Sequence, residues 1–97
     1  MDAKTIFELL KTKGKMLVTA ESCTGGMIAM QLTELAGSSE VFERGFVTYS
    51  NQAKMDCLGV PPQTLDSFGA VSADTAEEMA FGALRNSLAD LAVSVTG

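Results

Sequence analysis

Apolar positions along the chain alternate between helical and strand-like spacing. Between residues 2 and 13, Ile6, Phe7, Leu9 and Leu10 share one face, Lys4, Glu8, Lys11 and Lys13 lie mostly opposite, and Gly14 follows as a stop. That pattern predicts an amphipathic helix. Lys15 to Ala20 is a short apolar run with a β-branched core, too short for a helix, and reads as a buried strand. Met27, Ile28, Leu32 and Leu35 repeat at helical spacing until Gly37. Val41 to Tyr49 reads as a second strand, with Gly45 as a candidate bulge. Ala53, Met55 and Leu58 predict a short helix that Ser50 or Asn51 can cap. Gly59 closes it in the left-handed conformation, Val60 folds back on Met55, and Pro61-Pro62 forbids its continuation. Pro62 to Phe68 reads as one or two further helical turns ending at Gly69. Ser72 as N-cap, Asp74 in the first turn and a stripe of Ala76, Met79, Ala80, Ala83, Leu84 and Leu88 predict a long helix, and Leu91 to Thr96 a last buried strand.

The order α-β-α-β-α-α-β predicts one three-layer α/β/α domain over residues 1–97, with a largely parallel sheet, helices on both faces and no closing element after Gly97. Composition agrees with a single packed core: 46% of the residues are hydrophobic and 20% charged, with only two prolines. A net charge of −5 argues against nucleic acid or an anionic membrane surface as partner. No apolar run approaches the ~20 residues of a membrane span, and Met1-Asp2-Ala3-Lys4 lacks the layout of a signal peptide. Cys23 and Cys57 form no CxxC, and two thiols supply neither a disulfide framework nor a zinc tetrad; a reducing cytoplasm is the compartment that fits. The chain has no histidine, which removes the usual general base and any Ser-His-Asp triad, and Glu21, Glu77 and Glu78 show no metal-ligand spacing.

Chemistry is expected where parallel strands end, because open α/β sheets bind ligands outside the carboxyl edge. The three strand ends there read Thr19-Ala20-Glu21-Ser22, Thr48-Tyr49-Ser50-Asn51 and Ser94-Val95-Thr96-Gly97. The first leads into Cys23-Thr24-Gly25-Gly26, a small-residue turn whose backbone N–H groups and following helix suit an anion or an oxyanion. The same residues also suit a plain helix cap, with the glycines serving packing. Without histidine, a lysine of lowered pKa is the remaining base for a hydroxyl nucleophile. Lys54 stands apart from the four lysines of the first fifteen residues, five positions after the only tyrosine, Tyr49. Taken singly, the two also suit a surface lysine and a partly buried core tyrosine. A short-chain dehydrogenase pairing is disfavoured, since its spacing is four and no glycine fingerprint follows the first strand. Cys23 reads as a small buried thiol rather than a nucleophile, while Glu21 is placed to orient Lys54 or the turn.

The segments Thr19 to Gly26, Ala36 to Ser39, Phe42 to Asn51, Lys54, Leu58 to Val60, Gly69 to Ser72 and Ser94 to Gly97, in this order and spacing, closely resemble the C-terminal domain of the competence/damage-inducible CinA family. That domain also occurs alone as a nicotinamide-nucleotide amidase. The resemblance implies hydrolysis of nicotinamide mononucleotide to nicotinate mononucleotide and ammonia, with no cofactor or metal. It assigns Ser22 as nucleophile, Lys54 as base and Tyr49 as a partner that positions or relays the proton. Glu21, Cys23, Thr24, Gly25 and Gly26 would serve the substrate and oxyanion, and Thr96 would border the pocket. The family pattern continues past Ser94-Val95-Thr96-Gly97, so the chain corresponds to the N-terminal portion of that domain; homodimers are the family's habit. A non-catalytic nucleotide-binding or regulatory domain of a larger CinA-type protein is the alternative.

Overall fold

A computed structural model describes residues 2–97. Its elements are α1 (Ala3–Lys13), β1 (Leu17–Glu21), α2 (Met27–Thr33), a 3-10 turn (Ser38–Glu40), β2 (Phe42–Val47), α3 (Asn51–Leu58), α4 (Pro62–Phe68), α5 (Ala73–Arg85) and β3 (Leu91–Val95). Local chemistry sets most of these limits. Asp2 accepts from the Thr5 N–H at 2.8 Å to start α1, and Gly14 ends it in the left-handed region at φ 64°. Ser50 caps α3 through the Ala53 N–H, and Ser72 caps α5 through the Thr75 N–H. Gly59, at φ 67°, closes α3 as expected, and Val60 packs into the cluster that Met55 flanks.

The sheet is parallel throughout, in the order β2-β1-β3. The middle strand β1 is hydrogen-bonded on both sides and all five of its residues are buried. Alternation along it divides the core. Leu17 joins Phe7, Leu10, Leu32 and Val41 beneath α1 and α2, whereas Val18 and Ala20 join Leu58, Val60, Leu65, Met79 and Ala83 beneath α3, α4 and α5. The result is the expected three-layer arrangement around one sheet.

Several local expectations are corrected. The last strand is not buried: Leu91 and Val93 are about half exposed, at 48% and 41%, because they share a face with Leu17 and Thr19 that α1 and α2 cover only over β1 and β2. A groove of about 540 Å³ between α1 and α2, lined by Ile6, Leu17, Ile28, Leu32 and Val93, opens on that face. Leu88 does not extend the α5 stripe, since the helix stops at Arg85 and Leu88 is 82% exposed. The irregularity in β2 falls at Glu43, not Gly45, because Leu17 and Val18 pair with Phe42 and Arg44 in turn. Gly45 stays in the ladder because it faces Thr19 closely, where a β-carbon would stand 2.6 Å from the Thr19 hydroxyl. The α2 periodicity runs four residues past the helix end, as Leu35 and Ser38 continue it in tighter turns bonded to Leu32 and Leu35 carbonyls.

Gly82 of α5 lies directly on the backbone of α3, where a β-carbon would overlap the Leu58 carbonyl. Gly82→Ala must push the two helices apart, and the ~1 kcal/mol of helix propensity it gains does not offset that strain. We expect a net loss of roughly 2 kcal/mol, read as a lower urea midpoint with an unchanged slope; an unchanged midpoint would refute the contact.

Candidate active site at the carboxyl edge of the sheet

As β1 ends, its neighbours still grip it. The Thr48 N–H donates to the Glu21 carbonyl at 2.8 Å, and the Ser22 N–H to the Val95 carbonyl at 3.0 Å. Ser22, the first residue off the strand, is therefore held from both sides and is 7% exposed. The turn that follows is closed by the Gly25 N–H on the Ser22 carbonyl (3.1 Å) and the Met27 N–H on the Thr24 carbonyl (3.1 Å). Gly25 and Gly26 take φ values of 61° and 103°, open to glycine at no steric cost.

Lys54 lies in the first half of α3, but its side chain returns to the sheet edge and is 1% exposed. Its Nζ stands 3.0 Å from Ser22 Oγ, 3.1 Å from the Thr48 carbonyl and 3.0 Å from the Tyr49 carbonyl. Burial pushes the amine below its ordinary value of 10.5, with Cys23 acting in the opposite direction. Both carbonyl oxygens can only accept, so a neutral amine gives them its two protons and turns its lone pair to the Ser22 hydroxyl. As an ammonium it donates to all three. Ser22 Oγ also lies 3.4 Å from the Tyr49 carbonyl, a second acceptor for its proton.

The structure thus brings together Ser22 and Lys54 from segments 32 residues apart. It brings Tyr49 to them through its backbone oxygen: the phenol is 76% exposed and has no hydrogen-bond partner among the described residues. Cys23 is exposed, not buried as its size suggested. Thr96 donates to the Ala70 carbonyl at 2.6 Å, tying the end of β3 to the loop between α4 and α5.

Of the two roles expected for Glu21, its carboxylate takes the second: it binds the turn and makes no hydrogen bond to Lys54. It is fully buried and faces α2. Its Oε1 accepts from Thr24 Oγ1 (2.6 Å) and the Ile28 N–H (3.0 Å), its Oε2 from the Ala29 N–H (3.1 Å), and the Gly26 N–H is also directed at it. Burial works to raise its pKa, and these four donors outweigh burial, so the carboxyl stays below the ordinary value of 4.5. The α2 N-terminus, expected to receive an anion from outside, is already filled from within. Among the described residues, the N–H groups of Cys23 and Thr24 have no acceptor. Both are therefore open to a ligand.

No pattern of side chains announces the Thr48 and Tyr49 carbonyls, since backbone groups carry no residue signature. Glu21 left a trace: α2 begins at a glycine that cannot cap it and has no acid in its first turn. Among the described residues no three Cys, Asp or Glu side chains gather as a metal site.

The profile of the family described as the CinA C-terminal domain matches residues 2–97. A putative competence-damage inducible protein of Caldicellulosiruptor saccharolyticus is 53% identical over 94 residues, which cover 97% of this chain and 23% of that one. The nicotinamide-nucleotide amidohydrolase PncC of Escherichia coli is 52% identical over 95 residues, covering 98% of this chain and 58% of that one. A competence/damage inducible protein of Agrobacterium tumefaciens superposes with a TM-score of 0.95 at 59% identity, over 98% of this chain and 58% of the other. An Escherichia coli CinA superfamily protein does so at 0.96 and 39% identity, over 98% and 55%. This chain therefore spans little more than half of its amidohydrolase relatives and under a quarter of the longer ones. It belongs to the CinA C-terminal domain family.

Proposed function

We propose that the protein is a nicotinamide-nucleotide amidase that transfers the acyl group of nicotinamide mononucleotide to Ser22 and then to water. The observation that carries this reading is a hydroxyl and a desolvated amine 3.0 Å apart at the carboxyl edge of the sheet, beside two unclaimed N–H groups. The relatives named as nicotinamide-nucleotide amidohydrolases support the substrate.

The steps follow from those groups. Ser22 Oγ attacks the carboxamide carbon while its proton passes to the neutral Lys54 amine. The carbonyl oxygen becomes an oxyanion that the Cys23 and Thr24 N–H groups stabilise. The Lys54 ammonium, steadied by the Thr48 and Tyr49 carbonyls, gives the proton to the departing nitrogen, and ammonia leaves. Water repeats the sequence on the Ser22 ester with Lys54 again as base, releasing nicotinate mononucleotide. Tyr49 serves by its carbonyl, and its exposed phenol is free to turn onto a bound substrate. Thr96 and Gly25 shape the rim. Both glycines of the turn keep side chains away from the substrate.

A silent binding or regulatory module is the competing reading, because relatives named competence-damage inducible or CinA-like proteins are far longer than this chain. Ammonia release from nicotinamide mononucleotide separates the two. Ser22→Ala is expected to lower turnover by about three orders of magnitude or more while nucleotide binding persists; a wild-type protein that binds without releasing ammonia would defeat the amidase.

The pH dependence has a definite sign. The base works only when unprotonated, so kcat rises with pH and falls as pH drops through the Lys54 pKa, which burial has brought below 10.5. Lys54→Arg, whose guanidinium stays charged, should be inactive across the whole range rather than shifted. A shifted but active profile in that variant would assign the base elsewhere.

A further inference from the structure

We propose that Glu21 is a positioning residue for this acyl transfer. Its buried carboxylate takes up the Thr24 hydroxyl and the first amides of α2, and so holds the Ser22–Gly26 turn with Ser22 Oγ on Lys54 and the Cys23 and Thr24 N–H groups unclaimed. The inference rests on the amidase reading for its kinetics, but its structural content is separate.

The argument starts from where the residue is fixed. Its main chain is paired with Val47 on one side and Val95 on the other, so its Cα cannot drift. From that anchor the carboxylate reaches across the turn and binds its middle, at Thr24, and its far end, at Gly26, Ile28 and Ala29 where the helix begins. The five residues between two rigid elements are thereby clamped from inside. Among the described residues no other side chain caps α2, whose N-cap is Gly26 with no side-chain bond. Without the carboxylate, the Gly26, Ile28 and Ala29 amides and the Thr24 hydroxyl, all partly buried, would lose their acceptor, and the turn would rearrange to satisfy them. The turn carries both the nucleophile and the oxyanion donors, so its geometry is the reaction geometry.

A second consequence concerns the substrate. Because the carboxylate occupies the α2 N-terminus, a substrate phosphate is excluded from it by like charge. The reacting amide must then approach over Cys23 and Thr24, with its phosphate directed away from α2.

Glu21→Gln tests this at nearly constant volume. The amide keeps one acceptor but sets an NH₂ against a backbone N–H, donor facing donor, and loosens the clamp. Expected is a fall in kcat of about ten- to a hundredfold with KM within about threefold, since displacement of reacting groups by ~1 Å costs on that scale. Thr24→Val, which removes one donor and leaves the carboxylate, should lower kcat less, and the double variant should be no worse than Glu21→Gln alone because both act on one network. Reaction of Ser22 with a fluorophosphonate should slow by the same factors. Unchanged kcat and unchanged labelling in Glu21→Gln, or full additivity with Thr24→Val, overturns the proposal while leaving the amidase standing. If the wild type releases no ammonia, the amidase reading fails and the labelling rates alone decide the role of Glu21. If Glu21→Gln does not fold, Thr24→Val decides it by the same two readouts.

Discussion

Lys54 buries its amine beneath the carboxyl edge of the sheet, where the loss of hydration is offset by one hydroxyl and two backbone carbonyls, all within 3.1 Å. A buried amine is costly, and it persists only where its partners are already in place. Each partner belongs to a different piece of the fold: Ser22 to the exit of β1, Thr48 and Tyr49 to the exit of β2, and the lysine to α3. The arrangement therefore exists only when two neighbouring parallel strands end level with each other and a helix starts directly after the second.

The sheet supplies that condition. β1 is central and fully buried, so both strands beside it set their register from it, and residues Glu21, Val47 and Val95 end in line. Gly82 lets α5 rest on the backbone of α3, the helix that carries Lys54. The two carboxyl-edge groups of opposite sign are separated by face. Glu21 points beneath α2 and Lys54 lies on the other side of the β1 exit, so neither neutralises the other, and the amine is left to the serine. A salt bridge between them would have favoured the charged form of the lysine.

The open face over β3 is a different kind of feature. Leu91 and Val93 lie beside β1 in the sheet and half exposed, α5 packs on the opposite face of β3, and the groove next to Val93 holds none of Ser22, Lys54 or Tyr49. It bears on how the layers are covered and not on the chemistry at the strand ends.

Much was legible from residue order. Alternating 3.6- and 2-residue periods, Ser50 and Ser72 at helix starts and Gly14, Gly59 and Gly69 at helix ends mark out the major elements, because caps and periodicity act within a few residues. Absence of histidine and the isolation of Lys54 also narrowed the chemistry before any fold was known. What the order could not carry are facts that arise between segments. That Tyr49 meets the site through its carbonyl, that Glu21 turns inward to cap α2, that Leu88 and β3 lie open, and that the bulge sits at Glu43 all depend on register and layer coverage. Those are settled by contacts between residues tens of positions apart, and by backbone groups that are identical at every residue, so only tertiary structure decides them.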